Sequence, residues 1–251
     1  MILSDFFLQY KKVAVAFSGG VDSAYLLFAA KFCGTEVRAY YVKSEFQPQF
    51  EYEDALRFAA MLDVELSVLK LHVLENMNIC ENPKERCYHC KRMIFDAIAK
   101  AAVADGFSIL LDGTNASDDA KDRPGMRALK EFSVYSPLRE SGLTKDEIRR
   151  LSKEAGLFTW DKPAYACLAT RISTGEEITH EKLAAVEAAE NFLFSLGFAD
   201  VRVRIQKKNA RIQLSEKDFS RLMENRREVL KEFKKYFDLV TLDLQARGEM
   251  S

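Results

Sequence analysis

The sequence has no apolar run long enough to span a membrane. Its opening stretch, Met1 to Lys12, carries an acid at Asp5 and lacks the basic start, apolar stretch and small-residue cleavage site of an export signal. No charge of either sign is in excess: 37 Lys and Arg against 38 Asp and Glu give a formal net charge of −1. No strong global field exists to hold nucleic acid nonspecifically, so nucleic acid is not an expected partner, though a local basic groove stays open. Internal repeats and low-complexity tracts are absent, and His72, His89 and His180 form no ligand spacing. Five cysteines are an odd number, which argues against a disulfide framework. Thiols used for metal or redox chemistry in a reduced, cytoplasmic setting are expected instead, with no membrane partner.

What is present is an alternation of short apolar runs with amphipathic stretches. Val13 to Phe17 reads as a strand, Ser18-Gly19-Gly20 as a tight loop, and Asp22 to about Phe32 as a helix. Further strands are expected at Glu36 to Val42, Val64 to Leu69 and Ser108 to Leu111, with helices near Phe50 to Leu62 and Cys90 to Ala104. Strands alternating with helices imply right-handed crossovers and a parallel sheet covered on both faces, with ligands at the carboxyl ends of its strands. A strand near Phe132 to Tyr135 precedes a helix that Thr144 and Glu147 would open as a capping box. Beyond Trp160 the pattern changes. A helix over His180 to Leu196, strands over Val201 to Gln206 and Ala210 to Leu214, a helix over Glu216 to Lys235 and a strand over Leu239 to Leu244 predict a small antiparallel α+β unit. The expected division is residues 1–165 and 175–251, with the boundary between about Lys162 and Thr179.

The densest signal is Ser18-Gly19-Gly20-Val21-Asp22-Ser23. Free N–H groups at the start of a helix favour an anion, and glycine keeps side chains out of its way. A Walker A lysine is missing here, which disfavours γ-phosphate transfer of the usual kind. Asp22 has the wrong sign to replace it. A carboxylate beside phosphates makes sense if it holds Mg²⁺ bridged to pyrophosphate oxygens. The bland alternative is a helix capped by Ser18 or Asp22 behind a glycine turn. The full string in its strand-loop-helix setting resembles the PP-loop ATP pyrophosphatases, which split ATP into AMP and pyrophosphate.

Cys87-Tyr88-His89-Cys90 is a CxxC pair, and Cys167 supplies a third thiol. Alternatives are a half-buried pair at a helix start or part of a structural zinc site. Three cysteines modestly favour a [4Fe–4S] cluster with one iron left open. Cys90, alone or with Cys87, would open a helix whose dipole favours the thiolate, and Lys91 and Arg92 push the same way. Cys33 reads as core and Cys80 as a loop residue.

Taken with Asp112-Gly113-Thr114-Asn115, Asp118-Asp119, Arg123-Pro124-Gly125, Ser136-Pro137-Leu138, Lys162 to Arg171 and Leu242-Asp243-Leu244, these motifs resemble the LarE family over nearly the whole chain. That resemblance implies a Rossmann-like α/β fold of the adenine nucleotide alpha hydrolase type. It implies an ATP- and Mg²⁺-dependent sulfurtransferase that adenylates a pyridinium biscarboxylate mononucleotide and leaves a thiocarboxylate, for the nickel-pincer nucleotide cofactor of lactate racemase. Cys167 matches the family's sulfur-donating cysteine, which some members sacrifice. Cys87 and Cys90 match the three-cysteine members, where a cluster-bound sulfide is the donor, and the cluster route is the one expected here. Ser18, Gly19, Gly20, Asp22, Ser23, Gly113 and Arg123 would meet the nucleotide; Arg127 would assist Arg123. Arg202, Arg204 and Glu190 would meet the substrate mononucleotide. A sulfide or sulfur-donor protein and a homo-oligomer built through the small domain are further implications.

Three rivals remain. A tRNA 2-thiolase shares the chemistry but would want more basic surface. An ammonia-using synthetase leaves the cysteines unexplained. A regulatory module would bind ATP without releasing pyrophosphate.

Overall fold

The computed structural model describes residues 2–118 and 124–247. In chain order its elements are α1 (Leu3–Gln9), β1 (Lys12–Ala16), α2 (Val21–Phe32), β2 (Glu36–Lys43), α3 (Gln49–Met61), β3 (Leu66–Lys70), α4 (Met77–Cys80), α5 (Arg86–Ala104) and β4 (Leu110–Leu111). There follow α6 (Pro124–Glu131), α7 (Pro137–Glu140), α8 (Lys145–Glu154), α9 (His180–Ser195), β5 (Val201–Gln206), β6 (Asn209–Leu214), α10 (Phe219–Glu224), α11 (Arg226–Phe233) and β7 (Leu239–Leu242). The chain divides into two compact units, residues 1–73 with 85–165, and residues 74–84 with 166–251. No described helix is long and apolar enough to cross a membrane.

The first unit is a parallel sheet in the order β3-β2-β1-β4. Because side chains alternate along a strand, β1 and β2 feed two cores. Val13, Val15, Ala39 and Tyr41 pack with α1, α2, α3 and α8 on one face; Ala14, Tyr40 and Val42 pack with α5 and α6 on the other. Burial on both faces explains the near-continuous apolar run of β1. This is a Rossmann-like α/β arrangement. The order places β2 on one side of β1 and β4 on the other, so the chain reverses its progress across the sheet beside the carboxyl end of β1. Open α/β sheets bind ligands at such a switch point.

Several expected elements differ in detail. The stretch Phe132 to Tyr135 forms only a single parallel bridge, Tyr135 to Leu111. Helix α5 begins at Arg86 rather than Cys90. In the second unit β5 and β6 are antiparallel, but β6 and β7 are parallel. The helical crossover between them returns the chain in its original direction, so the small sheet is mixed. That crossover is broken into α10 and α11, because the Asn225 side-chain amide donates to the Arg221 carbonyl at 2.8 Å and closes the first helix. The segment 74–84 was not foreseen in the second unit. It is held there by Asn82, whose Nδ2 donates to the carbonyls of Ile172 (3.2 Å) and Ser173 (2.8 Å).

Candidate functional site

The phosphate loop follows β1 directly. Gly19 has φ of +77°, a conformation that favours glycine, and Gly20 takes the N-cap position of α2 without any side-chain cap. Neither Ser18 nor Asp22 caps the helix, which leaves its first N–H groups for an anion. Ser23 closes the loop instead: its Oγ accepts from the Ser18 N–H at 3.2 Å and lies 3.1 Å from Ser18 Oγ.

The loop after β4 meets it from the other side of the switch point. A Cβ on Gly113 would lie 2.8 Å from the Ser23 nitrogen, so only glycine permits this approach. Asp112 is buried and accepts from the hydroxyls of Thr114 and Ser136, the latter at 2.6 Å. Asn115 accepts at Oδ1 from the Ser117 N–H (2.8 Å), which settles its amide, and its Nδ2 donates to Asp22 Oδ1 at 3.2 Å. Asp22 Oδ2 pairs with Lys145 Nζ at 2.6 Å. A second lysine, Lys162, reaches Asp54 (2.7 Å) and Glu51 (3.1 Å), with its Nζ 3.5 Å from the Gly19 carbonyl.

Two cavities open on this loop within the first unit. One, of about 300 Å³, is walled by Phe17, Tyr40, Val42, Ile94, Phe95 and Ile98, with Ser18, Asp22 and Asp112 at its polar end. Its mostly apolar wall beside a phosphate loop suits a purine base and its ribose. The other, about 190 Å³, is lined by Ser18, Gly20, Asp22, Lys145 and Lys162 and suits phosphates. Magnesium fits these residues in the way it is usually held, one or two carboxylates with the nucleotide's own phosphates completing the shell. Asp22 is the carboxylate in place for that.

Helix α5 carries Lys91, Ile94, Phe95 and Ile98 on the wall of the larger cavity. Cys87 precedes Lys91 by four residues and so lies one turn back on the same helical face; Cys90, three beyond Cys87, adjoins it. Because α5 starts at Arg86, the first turn contains Cys87, and Cys90 falls in the second. Cys87 is exposed, Cys90 partly so, and the Arg86 guanidinium donates to Cys87 Sγ at 3.5 Å. Arg123 lies outside the described residues. Arg127 is engaged elsewhere, with Glu85 at 2.8 Å and over the Tyr88 ring.

Cys167 belongs to the second unit, where it caps the 3-10 turn Leu168–Arg171. Arg171 sits beneath it. Its NH1 donates to the carbonyls of Ala166 (2.9 Å) and Cys167 (3.4 Å), while its Nε and NH2 bind the Glu190 carboxylate at 2.9 and 3.2 Å. Both side chains are 1% exposed. Glu190, expected at the substrate, also accepts from the Val203 N–H at 2.8 Å and lies buried with Arg171 beneath the Cys167 turn. Arg202 is buried on β5, and burial followed by the nearness of Arg171 and Arg247 pushes its pKa down to about 10. Arg204 is lowered by the same kinds of cause, and its NH1 donates to the Thr170 carbonyl at 2.8 Å. Arginines that crowd one another in this way offer positive charge to an anion, although Arg202 also pairs with Asp200 at 3.4 Å. Arg171 and Arg204 line a cavity of about 320 Å³.

Residues 12–85 match the family model for the queuosine biosynthesis protein QueC. An uncharacterised protein of Synechocystis sp. is 36% identical over 97% of this chain and 92% of its own length. The pyridinium-3,5-bisthiocarboxylic acid mononucleotide synthase of Lactiplantibacillus plantarum is 35% identical over 82% of this chain and 75% of its own. A tRNA-specific 2-thiouridylase MnmA of Thermotoga sp. is 26% identical, over 58% of this chain and 52% of its own length. The last match spans little more than half the chain, whereas the synthase matches a stretch too long for the first unit alone to supply. That reach into the second unit makes this chain a member of the LarE family of ATP-dependent sulfurtransferases.

Proposed function

We propose that the protein uses ATP to adenylate a carboxylate of a pyridinium biscarboxylate mononucleotide, after which sulfur carried on its cysteines displaces AMP and leaves a thiocarboxylate. The observation that carries this reading is the double use of α5: the helix that walls the nucleotide cavity bears Cys87 one turn beyond that wall. An enzyme that only bound ATP would have no use for thiols there. The carboxylate oxygen attacks the α-phosphorus, the bond to the pyrophosphate breaks, and the acyl adenylate so formed is open to a sulfur nucleophile where the free carboxylate was inert. Each thiolation releases one pyrophosphate and one AMP.

The chain's own groups have assignable tasks. Ser18 to Ser23 and the start of α2 hold the pyrophosphate, and Lys162, fixed by Glu51 and Asp54, adds a cation at its edge. Asp22 would hold magnesium, which when bound would supply neutralisation of charge on the leaving pyrophosphate. Arg202 and Arg204 bind the substrate's phosphate, and Arg171 with Glu190 fixes the Cys167 turn. Cys87 and Cys90, three apart on α5, are spaced for two thiolates on one centre, and Cys167 is the third thiol of the set. A [4Fe–4S] cluster on these cysteines would leave one iron open to carry sulfide and would make the donor reusable. A homo-oligomer, a sulfide or sulfur-donor protein that reloads the cysteines, and a product destined for the nickel-pincer nucleotide belong to the same proposal.

The test combines product and metal analysis. Anaerobically purified protein given ATP and the biscarboxylate mononucleotide should release pyrophosphate in step with thiocarboxylate, and should contain about four iron and four sulfide per chain that Cys167→Ala loses. Pyrophosphate released only with tRNA would make it a 2-thiolase. No pyrophosphate with either leaves an ATP-binding module and ends the enzymatic reading. Metal-free protein that loses the Cys167 sulfur during turnover would keep the reaction but replace the cluster with a sacrificed cysteine.

A further inference from the structure

Two lysines face the small cavity at the phosphate loop, and they are held differently. Lys162 is shared between two carboxylates, Glu51 and Asp54, and is 14% exposed. Lys145 is 31% exposed and, among the described residues, pairs with one carboxylate, Asp22, at 2.6 Å. Its backbone is fixed: it is the first residue of α8, whose start is held by the Thr144–Glu147 capping box, and its N–H donates to Ser117 Oγ at 3.0 Å. What can move is the four-carbon stem, which lets the ammonium travel several ångströms by rotamer change alone. Asp22 is the more constrained partner, its other oxygen being tied to Asn115.

A magnesium ion on Asp22 would sit about 2.0–2.1 Å from the carboxylate oxygen. The Lys145 ammonium occupies that side of the same group at 2.6 Å. The two cations exclude one another. We propose that Lys145 is the displaceable counter-ion of Asp22: it occupies the carboxylate while the site is empty, and when the metal arrives with a nucleotide it transfers to the phosphate oxygens. This rests on the ATP reading above and adds to it the residue that makes metal and nucleotide bind together. The step is an ion exchange in which no covalent bond or proton changes hands. Metal alone displaces the ammonium only into solvent, with no new counter-charge for it. Metal with nucleotide displaces it onto a polyanion. Lys145 therefore opposes the first event and favours the second, which is a positive coupling between the two ligands.

Manganese binding followed by electron paramagnetic resonance, on the full chain with and without ATP, tests this apart from any turnover. In wild type Mn²⁺ should bind weakly alone and tightly with ATP. Lys145→Met should tighten Mn²⁺ binding without ATP by about ten-fold and weaken it with ATP by a similar factor. Lys145→Arg, which keeps the cation, should retain most of the coupling. Asp22→Asn should lose the ATP-dependent site, showing that the metal is on Asp22. Unchanged nucleotide-free Mn²⁺ binding in Lys145→Met, or equal tightening with and without ATP, would overturn the proposal while leaving the ATP reading intact. An Asp22→Asn variant that binds Mn²⁺ and ATP like wild type would overturn it too. Wild type that takes up no Mn²⁺ even with ATP would bring down the magnesium-nucleotide reading, and the proposal with it.

Discussion

Beside the phosphate loop the Lys145–Asp22 pair is partly exposed, whereas beneath Cys167 the Arg171–Glu190 pair is 1% exposed on both sides and each partner makes several hydrogen bonds. Water still reaches the first kind of pair, so exchanging a partner there is cheap. The second kind lies where an unpaired charge costs several kcal/mol, so it cannot exchange. The first unit keeps its charges available to an arriving polyanion. The second spends its charges on holding a turn still, with Arg202, paired to Asp200 at 3.4 Å, and Arg204, bonded to the Thr170 carbonyl, beside it. In an adenylation reaction these are complementary needs: phosphate charge changes during the step, while a sulfur donor must keep its place.

The comparison breaks most easily at Glu190. Glu190→Gln leaves the buried Arg171 without its counter-charge, and should cost about 3–5 kcal/mol. Urea unfolding of the purified chain would show it, and a loss below about 1 kcal/mol would mean that the pair is not what holds this turn. Asp22→Asn, by contrast, should cost less than about 1 kcal/mol in the same experiment, because its pair is reached by solvent. The effect of that change belongs on pyrophosphate release, not on stability.

A middle-sized effect is expected at Gly113. Alanine there would place a methyl carbon 2.8 Å from the Ser23 nitrogen, with backbone on both sides and no flexible side chain to yield. A cost of about 1–3 kcal/mol follows. Since the strain falls on the first turn of α2, ATP affinity, measured by calorimetry, should fall more than stability does. Equal losses would argue that Gly113 serves packing alone.

How much of this could be read beforehand depends on distance along the chain. The strand-loop-helix at residues 13–32 was legible because its signals are contiguous: an apolar run, two glycines and a helical period. The Thr144–Glu147 capping box was legible for the same reason. Lys145 was not. A lysine in the first turn of a helix reads as a solvated charge, and its partner Asp22 lies 123 positions away. Lys162 stood inside a recognised motif, but its meaning comes from Asp54, 108 positions back. The turn at Asn82 was invisible in the same way. The period of residues 216–235 promised one helix, since Leu222, Val229 and Phe233 keep helical spacing, and only the local bond from Asn225 breaks it. Glu190 was read for its charge, and neither its burial nor its pairing with Arg171, 19 positions back, could be read from the local sequence.

The smallest effect concerns the closing Leu242-Asp243-Leu244. Gln213 on β6 receives the Arg204 Nε–H at its carbonyl (2.5 Å) and gives its amide N–H to Asp243 at 2.7 Å, so Asp243 fixes which way Gln213 faces and thereby where Arg204 points. That bond from Gln213 is the largest of the causes that hold the Asp243 carboxyl below the usual carboxylate range, with the Gln245 N–H and Arg211 adding to it. A depressed folded-state value contributes stability that is present above the unfolded carboxylate value, about 3.9, and is lost as pH falls through the lower folded one. Asp243→Asn should therefore cost about 0.5–1.5 kcal/mol at neutral pH. Its unfolding free energy should approach that of wild type as both are taken into acid below about pH 4. Parallel curves over that range would show that the carboxylate charge is not what orients Gln213, and would remove Asp243 from the set of residues that place Arg204.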